Sequence, residues 1–455
     1  MAGHPAVPAG VTVSLETLGC KLNLADSELL AREFTAAGYQ VVSSQAGAHV
    51  HVVNTCTVTH VADAKARQQL RAVRRRNPRA LLVATGCYPE RAPGELDALP
   101  EVDLVAGNSR KAQLVQLVSG KLAERALAGR DLEDGLVRTV PAVSAVRSFV
   151  KIQEGCNDYC AYCIIPKTRG VSRSFDPAPI ISAIADRQGQ GYQEAVLTGT
   201  QLGDYGIEAP GDRRYGPDHR DQSTEGNPLA ALIARVLDET SIPRVRISSL
   251  QPQDITPELL SLWSDSRLCP HFHLPLQSGA APVLRSMRRR YVPEEYTAAL
   301  QRIRSMVPMA SITTDVIVGF PGERDADFNA TLSLCEAAGF AAIHAFPYSD
   351  RPGTLAVRLS AAVPAPVKQA RMARMLDLAK SYNLKERTRN LGQIRSVLWE
   401  GPASSLGGEA MTGWQGLTDT YFRVYTMSPE PLRSRITKTL LTSIHQDGVW
   451  GERAE

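Results

Sequence analysis

Residues 149–163 of this 455-residue chain read FVKIQEGCNDYCAYC. Three cysteines, Cys156, Cys160 and Cys163, follow one another there with the spacing C-x3-C-x2-C. Three thiolates on one short loop can hold three irons of a 4Fe-4S cluster and leave the fourth iron open to a substrate or cofactor. A zinc site is an alternative, but structural zinc requires four ligands, and no fourth Cys or His follows at the usual spacing. The segment therefore predicts an open iron–sulfur cluster rather than zinc or three incidental cysteines.

The cysteine loop opens a region of alternating strands and helices. Most of its candidate strands are separated by helical patterns, and they cover residues 149–153, 194–197, 245–248, 271–274, 313–318 and 341–346. Six such units predict a complete or partial (β/α) barrel. Because Cys156 follows the first strand, we expect the three thiols at the carboxyl-end mouth, where barrel enzymes bind their substrates.

Three further cysteines follow strands in the N-terminal region. Strands are predicted at residues 11–18, 49–54 and 80–85, with helices at 25–37 and 61–76, which indicates a parallel sheet. Cys20, Cys56 and Cys87 come directly after the three strands. Ligands gather at the carboxyl edge of such sheets, so a second site with three thiolates is predicted. Three unrelated buried cysteines are the alternative.

The C-terminal region changes character. A helical stretch over residues 366–390 precedes strand-like segments at 393–399 and 420–425, which predicts a small β-barrel. The fold class is therefore α/β, with an N-terminal parallel-sheet cluster domain at residues 11–125, a central partial (β/α) barrel at 142–380 and a small β-barrel at 385–450. Residues 203–228 form a polar inserted loop.

Composition limits the class of protein. Lys+Arg number 51 and Asp+Glu 47, and 43% of the residues are hydrophobic, which is an ordinary globular balance. No run of about 18 apolar residues is present, so we expect no membrane span. The N-terminus lacks the features of a secretory signal, which predicts a cytoplasmic protein. Clustered cysteines then indicate metal ligands rather than disulfides. Cys269 and Cys335 are predicted to be buried core thiols.

C-x3-C-x2-C after the first strand of a (β/α) barrel resembles the signature of the radical S-adenosylmethionine (SAM) enzymes. Three sequence motifs are similar to those of the N-terminal domain of the methylthiotransferases, a family of radical SAM enzymes. They are TLGCKLN at 17–23, NTCTVT at 54–59 and TGCY at 85–88. The resemblance covers nearly the whole chain and implies a TRAM-like, RNA-binding C-terminal barrel. It implies two 4Fe-4S clusters: one on Cys156, Cys160 and Cys163 that binds and cleaves SAM, and an auxiliary one on Cys20, Cys56 and Cys87 that carries the sulfur.

The family has branches that differ in substrate. One modifies isopentenyladenosine in tRNA, one modifies N6-threonylcarbamoyladenosine in tRNA, and one modifies an aspartate of a ribosomal protein. Four sequence motifs are most similar to those of the threonylcarbamoyladenosine branch. They are ETLGCK at 16–21, KIQEGC at 151–156, RISSLQP at 246–252 and FPYS at 346–349. That branch implies a methylthio group added to adenosine C2 at position 37, with tRNA, an electron donor and a sulfur source as partners. A non-catalytic iron–sulfur RNA-binding protein is the alternative of another class.

The resemblance also implies a set of residues that bind SAM or line its pocket. They lie at the ends of barrel strands and in the segment TTDVIVGFPGE at 313–323, for which a plain strand-to-helix turn is the alternative. The set is Thr198, Gly199, Gln201, Ser248, Gln277, Asp315, Gly319, Pro321 and Gly322. His273, beside them, is expected to be either structural or functional.

Two basic runs and four aromatic residues are open to two interpretations each. The runs are Arg71, Arg74, Arg75, Arg76 and Arg79, and Arg285, Arg288, Arg289 and Arg290. Each run is either a solvated face or a set of phosphate contacts. Trp399, Trp414, Tyr421 and Phe422 either form the core of the C-terminal barrel or stack on bases.

Overall fold

The structure is a computed structural model, and it describes residues 10–43, 47–127, 146–207, 226–359, 361–408 and 411–454. Most of the segment predicted as an inserted loop, 203–228, and most of the connection before residue 146 lie outside the described residues. Within the part that is described, no helix combines the length and apolarity needed to cross a membrane.

The N-terminal region is a parallel sheet, as predicted, and helices cover both of its faces. Its strands run in the order β2-β1-β3-β4-β5. The strands are β1 (Thr12–Thr17), β2 (Gln40–Val42), β3 (Val50–Thr55), β4 (Leu81–Gly86) and β5 (Leu104–Gly107). The helices are α1 (Lys21–Ala36), α2 (His60–Arg76), α3 (Cys87–Arg91), α4 (Pro93–Asp97) and α5 (Leu114–Leu127). Every residue of β3 and β4 is buried, because helices cover both faces of the sheet.

The central region is a partial barrel of six parallel strands. Two three-stranded sheets, β6-β9-β10 and β11-β12-β13, meet where Val245 bridges Leu268. The strands are β6 (Arg147–Lys151), β7 (Gln153–Glu154), β8 (Arg173–Ser174), β9 (Glu194–Thr198), β10 (Arg244–Ile247), β11 (His271–His273), β12 (Ser311–Val318) and β13 (Ala342–Pro347), of which β7 and β8 form a separate antiparallel pair. The helices are α6 (Ile165–Arg169), α7 (Pro177–Gly189), α8 (Pro228–Glu239), α9 (Pro257–Ser261), α10 (Ala281–Ser286), α11 (Pro293–Met306), α12 (Asp325–Ala338) and α13 (Ala365–Arg389).

Alternation along the strands divides the core from the lumen of the partial barrel. On β10, Val245 and Ile247 belong to the apolar core under the helices. Arg244 and Arg246 alternate with them in sequence, so they point to the opposite, inner side. Both arginines are nevertheless buried. The lumen is therefore lined by charged side chains at its amino-terminal end.

The C-terminal region is a closed five-stranded barrel, as predicted. The order is β14-β15-β16-β18-β17, and β14 pairs with β17 to close it. Its strands are β14 (Ile394–Gly408), β15 (Met411–Thr418), β16 (Arg423–Ser428), β17 (Ile436–His445) and β18 (Gly448–Arg453). Trp399 is fully buried and Trp414 nearly so, both within the barrel core. Of the two interpretations of these tryptophans, the structure supports the core.

The turn between β15 and β16 plugs the amino-terminal end of the partial barrel. Tyr421 has φ 73°, a left-handed conformation that is rare for non-glycine residues, and its ring stacks on His271 with the centroids 4.8 Å apart. Arg246 lies 4.7 Å from the Tyr421 ring centroid and donates to the Asp419 carbonyl at 3.0 Å. The strand predicted at 420–425 therefore begins three residues late, at Arg423, because Tyr421 forms this plug. Tyr421 contacts His271 and Arg246 of the partial barrel and is not an exposed ring on which bases could stack.

A buried ionic network joins the N-terminal sheet to the partial barrel. Asp26, on α1, is 1% exposed and pairs with Lys111 at 2.8 Å, Lys151 at 2.7 Å and Arg169 at 3.1 Å. Burial raises the pKa of the Asp26 carboxyl, but the three cations outweigh it and hold that pKa well below its usual value. One buried carboxylate thus fixes three cations, two of which belong to the central region.

We expect Asp26→Asn to lower the free energy of unfolding by about 3–5 kcal/mol, because it leaves buried cations without their counter-ion. Urea unfolding measures this, with the exposed Asp97→Asn as the matched control, expected within about 0.5 kcal/mol of wild type. The pKa of Asp26 lies below its ordinary 3.8, so its stabilisation is complete above that pH and is lost as the pH falls further. Equal stabilities of the two variants at neutral pH would contradict the network's role.

Candidate functional site

The first thiol triplet lies at the carboxyl edge of the N-terminal sheet. Cys20 precedes α1, Cys56 follows β3, and Cys87 is the first residue of α3. A Cβ at Gly19 would come within 2.9 Å of Cys56 Sγ, and Gly19 has φ +103°, so glycine lets the Cys20 loop approach the Cys56 thiol. Burial raises the pKa of Cys56 to about 12, and the charges of Cys20 and Cys87 add to the shift. The three thiols therefore converge, as predicted.

The second triplet lies on the loop between β7 and α6. Cys156, Cys160 and Cys163 are each half-buried. The Asp158 N–H donates to Cys156 Sγ at 3.3 Å, and Arg289 Nη1 donates to Cys160 Sγ at 3.3 Å. Burial raises the pKa of Cys163 to about 12, with a further contribution from the Cys160 charge. All six cysteines are free thiols.

Both triplets open on one cavity of about 1080 Å³. Cys56 lines one side of this cavity and Cys163 lines another. Its wall is largely apolar, with the side chains of Val58, Val61, Tyr162, Ile164, Ile317, Phe346 and Tyr348. Phe346 is 44% exposed, although it lies on a barrel strand, because it faces this space. The cavity is large enough for a cofactor and a nucleotide-sized group together.

Polar side chains that the sequence reasoning missed hold the thiols. Asn108 Nδ2 donates to Cys87 Sγ at 3.4 Å and to the Thr168 carbonyl at 2.8 Å. Arg169 donates to Asn23 Oδ1 at 2.5 Å, and the charges of Cys87, Asp26 and Cys20 raise its pKa against the effect of burial. No feature of the local sequence identifies Asn108 as a thiol contact. For Arg169 the available signal is its position at the end of the short helix that follows Cys163. These two residues connect the environments of the triplets.

Four of the nine residues predicted to bind SAM line the cavity or have a polar atom without a partner. Gln277 and Asp315 line the cavity, and the Gln277 N–H donates to the Asp315 carbonyl at 2.8 Å. Gln277 has φ 64°, a strained conformation typical of ligand sites. At the ends of β9 and β10, Gln201 Nε2 and Ser248 Oγ are buried without a hydrogen-bond partner in the described structure.

Thr198 and Gly199 are packed rather than open. The Thr198 hydroxyl donates to the Val196 carbonyl at 3.0 Å. A Cβ at Gly199 would lie 2.7 Å from a Leu202 methyl carbon. Just beyond this strand end, the backbone N–H groups of Thr200 and Gln201 each donate to Gln153 Oε1 at 2.9 Å. This strand end is thus a preorganised turn beside the thiol loop.

The 319–322 turn lies outside the cavity lining. The Gly319 N–H donates to Glu323 Oε2 at 2.9 Å, and a Cβ there would lie 2.7 Å from Lys368 Cγ. The exposed Gly322 donates to the Ala361 carbonyl at 2.6 Å, and Pro321 is buried. For Gly319, Pro321 and Gly322 the contacts are those of a strand-to-helix turn packed against α13.

Some arginines of the two basic runs form contacts within the protein, and the others are exposed. Arg74 donates to the Glu101 carbonyl at 2.7 Å and pairs with Asp103, so it anchors the end of α2. Arg289 contacts Cys160, and Arg290 pairs with Asp158. The side chains that remain exposed in these runs are Arg71, Arg75, Arg76, Arg79, Arg285 and Arg288.

The residues present fit the implied cofactors. Each triplet offers three soft sulfur ligands around open space, which suits a 4Fe-4S cluster with a free iron. The unpartnered Gln201 Nε2 and Ser248 Oγ atoms offer hydrogen bonds to a polar ligand beside the second triplet.

Comparisons with known proteins agree with this geometry. Residues 12–107 match the Uncharacterized protein family UPF0004, and residues 150–335 match the Radical SAM superfamily. The chain is 38% identical to threonylcarbamoyladenosine tRNA methylthiotransferase MtaB of Aquifex aeolicus, over 85% of this chain and 93% of that protein. It is 34% identical to the Bacillus subtilis protein of the same name, over 94% and 93%. The chain belongs to the radical SAM methylthiotransferase family. Enzymes of this family use SAM and 4Fe-4S clusters.

Two other relatives extend the comparison. The tRNA-2-methylthio-N(6)-dimethylallyladenosine synthase of Syntrophotalea carbinolica is 32% identical over 96% of this methylthiotransferase and 99% of that protein. The radical SAM methyltransferase TsrM of Kitasatospora setae, solved with cobalamin and a 4Fe-4S cluster, matches 74% of this chain and 75% of its own at a TM-score of 0.53 and 14% identity. That likeness shows the radical SAM fold. Family membership favours the enzyme over the non-catalytic alternative.

Replacing either triplet with alanine is expected to halve the iron content. Wild type should hold about eight irons per chain, and C156A/C160A/C163A and C20A/C56A/C87A about four each, because each triplet is predicted to hold one 4Fe-4S cluster. Iron and sulfide analysis after anaerobic reconstitution measures this. Cys335→Ala, in the apolar core, is the control and should keep both clusters. Loss of all iron from either triple variant, with its circular dichroism intact, would contradict separate sites.

Arg289→Met should make the midpoint potential of the cluster predicted on Cys156, Cys160 and Cys163 more negative. The guanidinium donates to Cys160 Sγ, and losing that donor and its charge disfavours the reduced cluster. The measurement is a redox titration followed by electron paramagnetic resonance in the C20A/C56A/C87A background. Arg285→Met, at an exposed position on α10, is the matched control. An unchanged or raised potential in Arg289→Met would refute the assignment.

Proposed function

We propose that this chain adds a methylthio group to C2 of N6-threonylcarbamoyladenosine at position 37 of tRNA. The observation that carries the proposal is the single cavity of about 1080 Å³ that Cys56 and Cys163 both line. A reaction that needs a radical source and a sulfur source at one carbon atom requires both sites to face the same substrate. The names of the Aquifex aeolicus and Bacillus subtilis relatives support the choice of nucleoside.

In this proposal Cys156, Cys160 and Cys163 hold the cluster that binds SAM, and Cys20, Cys56 and Cys87 hold the auxiliary cluster. When bound, SAM and the two clusters supply the radical, the methyl group and the sulfur. Of the residues predicted to bind SAM, Gln277 and Asp315 line the cavity, and Gln201 and Ser248 offer unpartnered polar atoms. Those four are the SAM contacts we propose first.

The chain's own contribution is to position the reactants and to keep water out. Val58 and Val61 from the N-terminal region face Ile317 and Phe346 from the barrel across the cavity. An adenosine that is flipped out of the anticodon loop would be held between these apolar walls. Excluding water around the base protects a radical from side reactions. An electron donor and a sulfur source complete the reaction.

We further propose that tRNA is held outside the cavity by exposed arginines and by the C-terminal barrel. Arg75, Arg76, Arg285 and Arg288 are exposed and are suited to phosphate contacts. Trp399 and Trp414 are excluded from base stacking by their burial. Phe422, which is half-buried, is the remaining aromatic candidate among the four.

The dimethylallyladenosine branch is the second candidate, because the Syntrophotalea carbinolica relative carries that name. The two nucleosides share the reacting C2 and differ in the N6 substituent. One substituent is a neutral hydrocarbon, and the other bears a carboxylate. Product analysis therefore decides between them.

The test compares tRNA nucleosides by mass spectrometry from cells with and without this gene. We expect the 2-methylthio form of N6-threonylcarbamoyladenosine to disappear with the gene, while its precursor accumulates. The wild-type gene should restore the product, whereas C156A and C20A variants should not, and Cys335→Ala should. Loss of 2-methylthio-dimethylallyladenosine instead would assign the second branch. Unchanged tRNA nucleosides would contradict a tRNA substrate and direct the search to a ribosomal-protein aspartate.

A further inference from the structure

Lys21 is a half-buried cation that has no anionic partner in the described structure. It follows Cys20 directly as the first residue of α1. Its ammonium lies 5.2 Å from the Tyr421 ring centroid, at the plug of the barrel lumen. Among the residues that the structure describes, no carboxylate forms an ion pair with it and no acceptor takes its hydrogen bonds. A cation in this position carries a desolvation cost, which the Tyr421 ring and the more distant charge of Glu194 offset only in part among the described residues.

The arginines near Tyr421 already form ion pairs with carboxylates. Glu194 pairs with Arg244 at 3.0 Å and with Arg246 at 2.9 Å. Arg147 pairs with Glu400 at 2.7 Å. Arg147 and Arg246 lie against the Tyr421 ring together with Lys21, and in these pairs two carboxylates serve three arginines. The lumen therefore has an excess of positive charge, and Lys21 is the cation outside the pairs.

Polar residues connect Lys21 to the cavity. Asp315 lines the cavity, and its carboxylate lies 3.4 Å from His273 Nε2. The His273 ring is 6.0 Å from the ring of His344, and His344 is exposed within the partial barrel. The charge of Lys21 acts on His344 and on His271. Lys21 itself does not line the cavity, and Asp315, His273 and His344 link it to the lining.

We propose that Lys21 binds the carboxylate of the substrate's N6 substituent and so selects an acidic adenosine modification over a hydrocarbon one. This inference rests on the proposed function. With C2 directed toward the thiol triplets, the N6 substituent points away from them and is available to the lumen. A carboxylate on it would supply the counter-charge that Lys21 lacks. The apolar dimethylallyl group would leave the ammonium buried and unpaired, which disfavours that substrate.

The test measures binding of three anticodon stem-loops to the reconstituted holoenzyme under anaerobic conditions. One carries N6-threonylcarbamoyladenosine, one carries its carboxyl methyl ester, and one carries isopentenyladenosine. Wild type should bind the free acid about tenfold or more tightly than the ester, as expected for a charged hydrogen bond. Lys21→Met should bind the acid and the ester equally, at the ester's affinity. Lys21→Arg should keep part of the preference.

The controls separate substrate binding from damage to the adjacent cluster. Lys121→Met, on α5 and paired with Glu124 at 2.9 Å, should match wild type. Lys21→Met should keep its iron content and its SAM affinity, and it should release 5′-deoxyadenosine from SAM at the wild-type rate without RNA. Loss of any of these would overturn the inference, because Lys21 would then serve the cluster or SAM. Retained preference for the acid in Lys21→Met would overturn it as well.

The two proposals fail in different ways. If wild type methylthiolates only the isopentenyladenosine stem-loop, the proposed function fails, and this inference fails with it. If wild type methylthiolates the threonylcarbamoyladenosine stem-loop but does not distinguish acid from ester in binding, the proposed function stands and the role of Lys21 is refuted.

Discussion

The buried carboxylate of Asp26 is the contact on which the site depends. It lies on the helix that follows Cys20 and binds Lys151 and Arg169, which flank the loop of the second triplet. Neither triplet alone forms the cavity, because Cys56 comes from one region and Cys163 from the other. The position of the N-terminal sheet relative to the partial barrel must therefore be fixed as closely as a hydrogen bond requires. A charged network provides this, since its geometry is directional in a way that apolar contact is not.

A second ionic contact joins the N-terminal region to the partial barrel. Arg351, after the last barrel strand, donates to Asp63 at 2.6 Å and to the Thr57 carbonyl at 2.8 Å. Thr57 follows Cys56, so this contact fixes the thiol loop as well as the helix that carries Asp63. Cys56 and Asp350, the chain neighbours of Thr57 and Arg351, both line the cavity. This ion pair therefore holds the two regions together at the cavity wall.

The sequence predicted the strands well because cysteines and glycines follow buried runs of apolar residues. The sequence pattern predicted that α1 begins at residue 25, whereas the helix begins four residues earlier, at Lys21. Asn23, Asp26 and Ser27 are buried toward the site, while Leu24 is partly exposed, so the usual apolar periodicity is inverted there. The short edge strands β2 and β5 were also missed, since three or four residues carry little pattern.

The polar contacts of the thiols could not be predicted, because their partners are distant in sequence. Asn108 and Arg289 reach Cys87 and Cys160 only through the tertiary fold. Lys21 was visible as part of a motif, but only the fold shows that it lacks a partner. Its position has a consequence for mechanism. Cys20 and Lys21 share one strand-to-helix turn, so the element that holds the sulfur-bearing cluster would also contact the substrate's charge. Substrate selection and sulfur delivery would then be aligned by a single peptide unit, which leaves little freedom for a bound but misplaced base.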